Sequence, residues 1–151
     1  QARRYDEAIA AARKAFELEP NNAVGHRRLG NVYETKGMYT EALSEYAELE
    51  RLRGPGASES FGTGRVYART GRRAEADEIL QRSKNSGEND RLGLASLYAA
   101  MGLRNEAIAE LEKAFDERNP SLAGTSISPL FDDMRPDPRF QELLRRMGLP
   151  E

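Results

Sequence analysis

The sequence predicts an all-α fold: a right-handed α-solenoid of helical hairpins closed by a C-terminal capping helix. Three observations carry that reading. Tyr33, Gly37 and Ala42 recur 34 residues later as Tyr67, Gly71 and Ala76, and 31 residues after that as Tyr98, Gly102 and Ala107. Apolar residues fall three and four apart through most of the chain, the spacing of one helix face. A glycine stands between paired stretches, where a helix must stop. A unit of two such helices cannot bury its apolar face alone, so neighbouring units must stack.

Taken in order, residues 5–18 read as the second helix of a hairpin, because Tyr5 and Ala8 stand 34 residues before Tyr39 and Ala42. Residues 1–4 show no start methionine, signal stretch or targeting pattern, so the chain is expected to be cut from a longer one. Over residues 22–34, Val24, Leu29, Gly30, Val32 and Tyr33 share one side of a helical wheel. After Gly37 the partner helix follows, with Tyr39, Ala42, Leu43, Tyr46, Ala47 and Leu49, and Gly54, Pro55 and Gly56 end it. Residues 57–69 with 73–83, then 89–100 with 105–117, repeat the hairpin.

The small residues have a mechanical reason. Ala42, Ala76 and Ala107 fall where two helices of a hairpin cross, and Gly30 and Gly64 allow close approach on the first helix. Tyr33, Tyr67 and Tyr98 fill the space between helices. In the third unit Gly62 and Gly64 lie inside a helix, each costing about 1 kcal/mol relative to Ala. Residues 54–64 are therefore expected to be the most mobile part of the stack.

The period ends after Asn119 and Pro120. Residues 121–136 carry turn signals, with Leu130, Phe131 and Met134 as apolar anchors. Asp137 and Pro138 then open a helix as N-cap and first-turn proline. Phe140, Leu143, Leu144 and Met147 form its apolar face, and Gly148 with Pro150 close it. A terminal repeat needs its open face covered, and this helix is placed to cover it.

Composition excludes several classes of function. The net charge of -2 comes from 23 basic and 25 acidic residues. They are scattered along the chain, so neither direct nucleic-acid binding nor a membrane surface is expected. No apolar run approaches the roughly 20 residues that span a bilayer, and a cytoplasmic location is expected. With no cysteine there is no disulfide, thiolate nucleophile or Cys-based zinc site. His26 is the sole histidine and reads as a packing residue. Asp132 and Asp133 are too few for calcium. The glycines of residues 54–64 lack the Gly-Lys-Ser/Thr of a phosphate loop. No nucleophile–base pair is recognisable, so no enzyme, cofactor or metal is expected.

The second unit reads His26, Leu29, Gly30, Tyr33, Ala42 and Tyr46; the third Ser60, Thr63, Gly64, Tyr67, Ala76 and Leu80; the fourth Arg91, Leu94, Ala95, Tyr98, Ala107 and Leu111. The leading half-unit keeps Ala8, Ala12, Ala15 and Pro20. Over about four fifths of its length the chain thereby resembles the tetratricopeptide repeat family. Every unit lacks the family's Trp, and the third has Ser and Thr at usually apolar places. The resemblance implies an array over residues 1–120, with a half repeat at 1–22 and repeats at about 23–56, 57–87 and 88–120. A turn-rich segment and capping helix fill 121–151. Residues 129–144 also look like the closing segment of many bacterial multidomain proteins of this family, which implies a regulatory or signalling parent.

The function expected is a protein-interaction scaffold that takes a peptide or partner domain in its concave groove. The first helix of each unit would line the inside, offering Val24, Arg27, Asn31 and Glu34, then Phe61, Arg65 and Arg69, then Leu92 and Ser96. Arg27, Arg65 and Arg69 with Asn31 would bond an acidic partner, and Phe61 and Leu92 would take an apolar side chain. Solvation of those arginines weighs evenly against it. Reversing Arg65 and Arg69 to Glu is expected to weaken binding without altering helicity. Family members that clamp a C-terminal carboxylate match here at Arg27 and Asn31, but Gly62, Asn89 and Gly93 stand at the remaining positions, so that clamp is incomplete. The alternative is a structural module that dimerises through the face of Ile9, Ala12 and Phe16 on the first helix.

Overall fold

The computed structural model describes residues 2–54 and 56–149, with the side chains of 2–4, 57–59 and 125–127 left aside. Pro55 and Pro150, read above as stop signals, lie outside the described residues. The helices are α1 (Ala2–Leu18), α2 (Ala23–Thr35), α3 (Tyr39–Arg53), α4 (Ala57–Arg69), α5 (Arg73–Asn85), α6 (Arg91–Ala100), α7 (Arg104–Asp116) and α8 (Pro138–Arg146). Two 3₁₀ segments, Pro120–Ile127 and Pro129–Met134, join α7 to α8. Helices α2 and α3, α4 and α5, and α6 and α7 pack as hairpins, and α4 packs on α3 and α6 to build the solenoid. No helix among the described residues is long and apolar enough to cross a membrane.

The recurring Tyr and Gly have a common cause. Met38 N–H donates to Tyr33 O (2.9 Å) and Gly37 N–H to Glu34 O (3.0 Å), with Gly37 at φ 74°. These two bonds satisfy carbonyls that the helix end would leave unpaired, and they need a left-handed residue at that point. The same pair of bonds, from Leu103 to Tyr98 and from Gly102 to Ala99, closes α6. At the end of α7 the left-handed position is Arg118, at φ 53°, a conformation that a side chain disfavours.

Ala42, Ala76 and Ala107 are fully buried at the hairpin crossings. The Tyr46 ring lies between Gly30 of α2 and Gly62 of α4, each of whose added Cβ would fall 2.5 Å from Tyr46 Cε1. Gly64 approaches Leu97 and Ile79 in the same manner. The low helix propensity of these glycines is thus exchanged for a close approach of helices. Both Gly62 and Gly64 are buried, which reverses the reason given above for slackness at that end of residues 54–64.

One apolar core runs from α4 to α8 and includes Leu97, Leu111, Phe131, Met134, Phe140, Leu143 and Leu144. The capping helix therefore buries its face as its spacing required. Asp137 Oδ1 accepts from Arg139 N–H at 2.9 Å and caps it. A smaller core joins Leu29, Tyr33, Ala42, Tyr46 and Val66. Ile9, Ala12 and Phe16 pack against that second core. The face proposed for dimerisation is thus partly covered by α2, and Ala8, Ala15 and Val24 stay open beside it. Phe16 stacks on His26 with ring centres 4.4 Å apart, and His26 Nδ1 lies 2.6 Å from Glu45 Oε2, so the histidine packs and ties α2 to α3.

Candidate functional site

Two rows of register-equivalent residues run along the inner face. Arg27, Phe61 and Leu92 form one, and Asn31, Arg65 and Ser96 form the other, a helical turn further on. All six line a cavity of about 350 Å³. Arg69, also expected to face the groove, does not reach it. It lines an adjoining recess of about 420 Å³ with Glu34, Lys36, Tyr39, Leu130 and Asp133. Val24 lies apart, half-exposed on the α1–α2 side.

The wall opposite the rows is unexpected. Ser121, Gly124, Leu130 and Phe131 of the two 3₁₀ segments and Ser128 between them line the same cavity, so the C-terminal stretch crosses the inner face as a strap. Its apolar anchors carried the signal: a segment too short to form a hairpin must lay such residues on a surface that already exists. Tyr46, Leu49 and Asp90 complete the lining. Asp90 caps α6 by accepting from Gly93 N–H at 2.8 Å. Phe61 is buried over Gly93, where a Cβ would collide with its ring. Gly62 and Gly93, at the vacant clamp positions, are occupied by aromatic rings.

Arg65 is the centre of the floor, and its role differs from the expected one. Its side chain is 6% exposed and that of Glu34 is 2% exposed. Arg65 Nε donates to both Glu34 oxygens at 3.1 Å, and Nη2 donates to Glu34 Oε2 at 2.9 Å and to Asn31 Oδ1 at 2.9 Å. Arg65 Nη1 donates to Ser96 Oγ at 3.1 Å, and Ser96 Oγ in turn donates to Gly93 O at 2.7 Å. Tyr46 has one hydroxyl proton and two acceptors, Glu34 Oε2 at 2.7 Å and Asn31 Oδ1 at 2.8 Å. The carboxylate is the stronger acceptor and takes it. The Asn31 carbonyl is thus engaged by Arg65, while its amide NH₂ has no acceptor among the described residues.

The electrostatics follow from burial. Burial alone would raise the Glu34 carboxyl, but the charge and hydrogen bonds of Arg65, the Tyr46 hydroxyl and the charge of Arg69 outweigh it and hold it below the usual carboxylate range. Burial raises the Tyr46 phenol, and Glu34 adds to that against the opposing pull of Arg65. Burial would lower Arg65, and Glu34 more than reverses it. Arg65 is therefore a matched internal charge and not one held out to an acidic partner. Replacing Arg65 and Arg69 by Glu would crowd carboxylates around Glu34, so the expectation of unchanged helicity does not stand.

Among the described residues no group of three or more His, Cys, Asp or Glu is arranged to hold a metal ion. The site offers apolar walls and a few fixed donors, the means of holding a chain segment. These features define a helical-repeat scaffold for protein–protein interaction. Residues 1–22 and 91–119 match the tetratricopeptide repeat family, and the hairpins between them keep the same register. The crystal structure of MamA is similar in fold, at 20% identity and a TM-score of 0.50 over 95% of this chain and 91% of that one. So is that of YrrB, described as a TPR protein with an unusual peptide-binding site, at 25% identity and a TM-score of 0.50 over 95% of this chain and 76% of that one. No curated protein matches the chain.

Proposed function

We propose that this protein binds an extended peptide segment of a partner protein in the slot between α2, α4 and α6 on one side and the C-terminal strap on the other. The observation that carries this is the cavity of about 350 Å³ into which all three repeats and the strap contribute. The described peptide-binding site of YrrB supports the reading by likeness of fold. Leu92 and Leu130 offer apolar contact to a side chain, and the Asn31 amide offers donors to a backbone carbonyl. With Arg65 neutralised by Glu34, the floor selects by shape and hydrogen bonding more than by charge. The binding would serve a regulatory or sensing role in a larger bacterial protein, a reading supported by the resemblance of residues 129–144.

A peptide selected from a random synthetic library on the immobilised chain tests this directly. By fluorescence anisotropy, Leu92→Glu should weaken its affinity at least tenfold, the effect of losing an interface anchor, with the circular dichroism unchanged. Equal affinity for Leu92→Glu and wild type would place the contact elsewhere.

A further inference from the structure

We infer that Asp133 is an internal stand-in for a partner's carboxylate, held at Arg69 and exchanged for it on binding; this rests on the inner-face reading above. Glu34 is shared by two guanidinium groups, Arg65 at 2.9 Å and Arg69, whose Nε donates to Glu34 Oε1 at 3.3 Å. That trio carries one positive charge in excess. The excess is answered by Asp133, whose Oδ2 lies 3.7 Å from Arg69 Nη1, beyond hydrogen-bonding reach. The Asp133 side chain is 69% exposed and that of Arg69 is 25% exposed. An ion pair of that kind weighs an equilibrium by roughly two- to fivefold.

The other charges around the recess are better answered. Lys36 pairs with Asp6, and Asp132 Oδ1 accepts from Arg135 Nε at 2.8 Å. Arg69 is therefore the cation whose counter-ion exchanges at least cost. The strap need not move, because Phe131 and Met134, on either side of the two aspartates, are buried in the core. One side chain swings away while its backbone stays. Leu130 lines both this recess and the neighbouring cavity. The partner that fits is a segment with Asp or Glu beside an apolar residue, so that the carboxylate meets Arg69 while the apolar group meets Leu130. Recognition of acid falls to Arg69, and Arg65 stays part of the floor.

The probe is the peptide acetyl-Pro-Leu-Phe-Asp-Asp-amide, which copies residues 129–133, with its Asn-Asn counterpart. Each is titrated into the ¹⁵N-labelled chain as wild type, Asp133→Asn, and Asp133→Asn with Arg69→Gln, following backbone amides and the Arg69 Nε–H. The Asp peptide should bind Asp133→Asn roughly two- to fivefold tighter than wild type. The Asn-Asn peptide should show no such gain, and Arg69→Gln should erase it. Equal affinities for wild type and Asp133→Asn, or a gain that survives Arg69→Gln, would overturn the inference. Were shifts then still seen at Arg27, Asn31, Leu92 and Ser96, the inner-face reading would stand without it. Silence in every protein at millimolar peptide would overturn both.

Discussion

In the C-terminal half, α6, α7, α8 and the strap close around Leu97, Leu111, Met134, Phe140 and Leu144, and the buried Glu110 pairs with Arg91 at 3.1 Å and Lys113 at 2.7 Å. In the N-terminal half, α2, α3 and α4 share a smaller apolar cluster and place Glu34 against Arg65, Tyr46 and Asn31 at its inner edge. Apolar packing tolerates volume-conserving exchange. A buried polar network works only when every member is present. The half that supplies most of the inner-face polar groups is thus the one most sensitive to a single charge.

The largest expected effect breaks that network. Glu34→Ala leaves Arg65 buried and unpaired and should cost about 3–5 kcal/mol, whereas Glu34→Leu with Arg65→Met should come out near neutral; urea denaturation of the three proteins separates these outcomes. Loss of comparable stability in the double variant would mean that geometry, not unpaired charge, sets the cost. Next comes Gly62→Ala. Helix propensity alone predicts a gain of about 1 kcal/mol, but the Tyr46 ring is confined between Gly30 and Gly62, so the structure predicts a loss of about 1–3 kcal/mol by overpacking. The sign of the change in Tm decides.

A third prediction concerns acid. The folded Glu34 carboxyl lies below its unfolded value. Its contribution is therefore complete above about pH 4.3, the unfolded value, and is lost as pH falls through the lower folded value. The stability of wild type should fall more steeply below pH 4.3 than that of Glu34→Gln, measured as Tm against pH. Parallel curves would contradict the burial of that charge. The smallest effect belongs to the C-terminal half. Arg118→Gly, at φ 53°, should gain about 1 kcal/mol by relieving a left-handed side chain, and an unchanged Tm would show that the strain is offset elsewhere.

Much of this was legible from spacing. The Tyr33–Gly37 interval is a helix C-terminus whose hydrogen bonds demand that separation, and repetition of the motif made the hairpins readable. The rows Arg27–Phe61–Leu92 and Asn31–Arg65–Ser96 were readable for the same reason. What spacing could not supply was the partner of each side chain. Glu34 lies one turn off the Asn31 row, and Tyr46 comes from the second helix of its unit, so no register links either to Arg65. Gly62 looked like a flaw because the ring that requires it is 16 residues away in sequence. The strap was harder still: its residues repeat nothing, and the burial of Leu122, Phe131 and Met134 fixes its path over the inner face.

The central claim, that partners dock between the inner row and the strap, meets its most direct test in a photo-crosslinking map. A library-selected peptide carrying a benzophenone at each position in turn would be linked to the wild-type chain and the adducts located by mass spectrometry. Adducts are expected at Arg27, Leu92, Ser128 and Leu130, which face one cavity from its two sides. Adducts confined to the second helices of the hairpins, α3, α5 and α7, would contradict it.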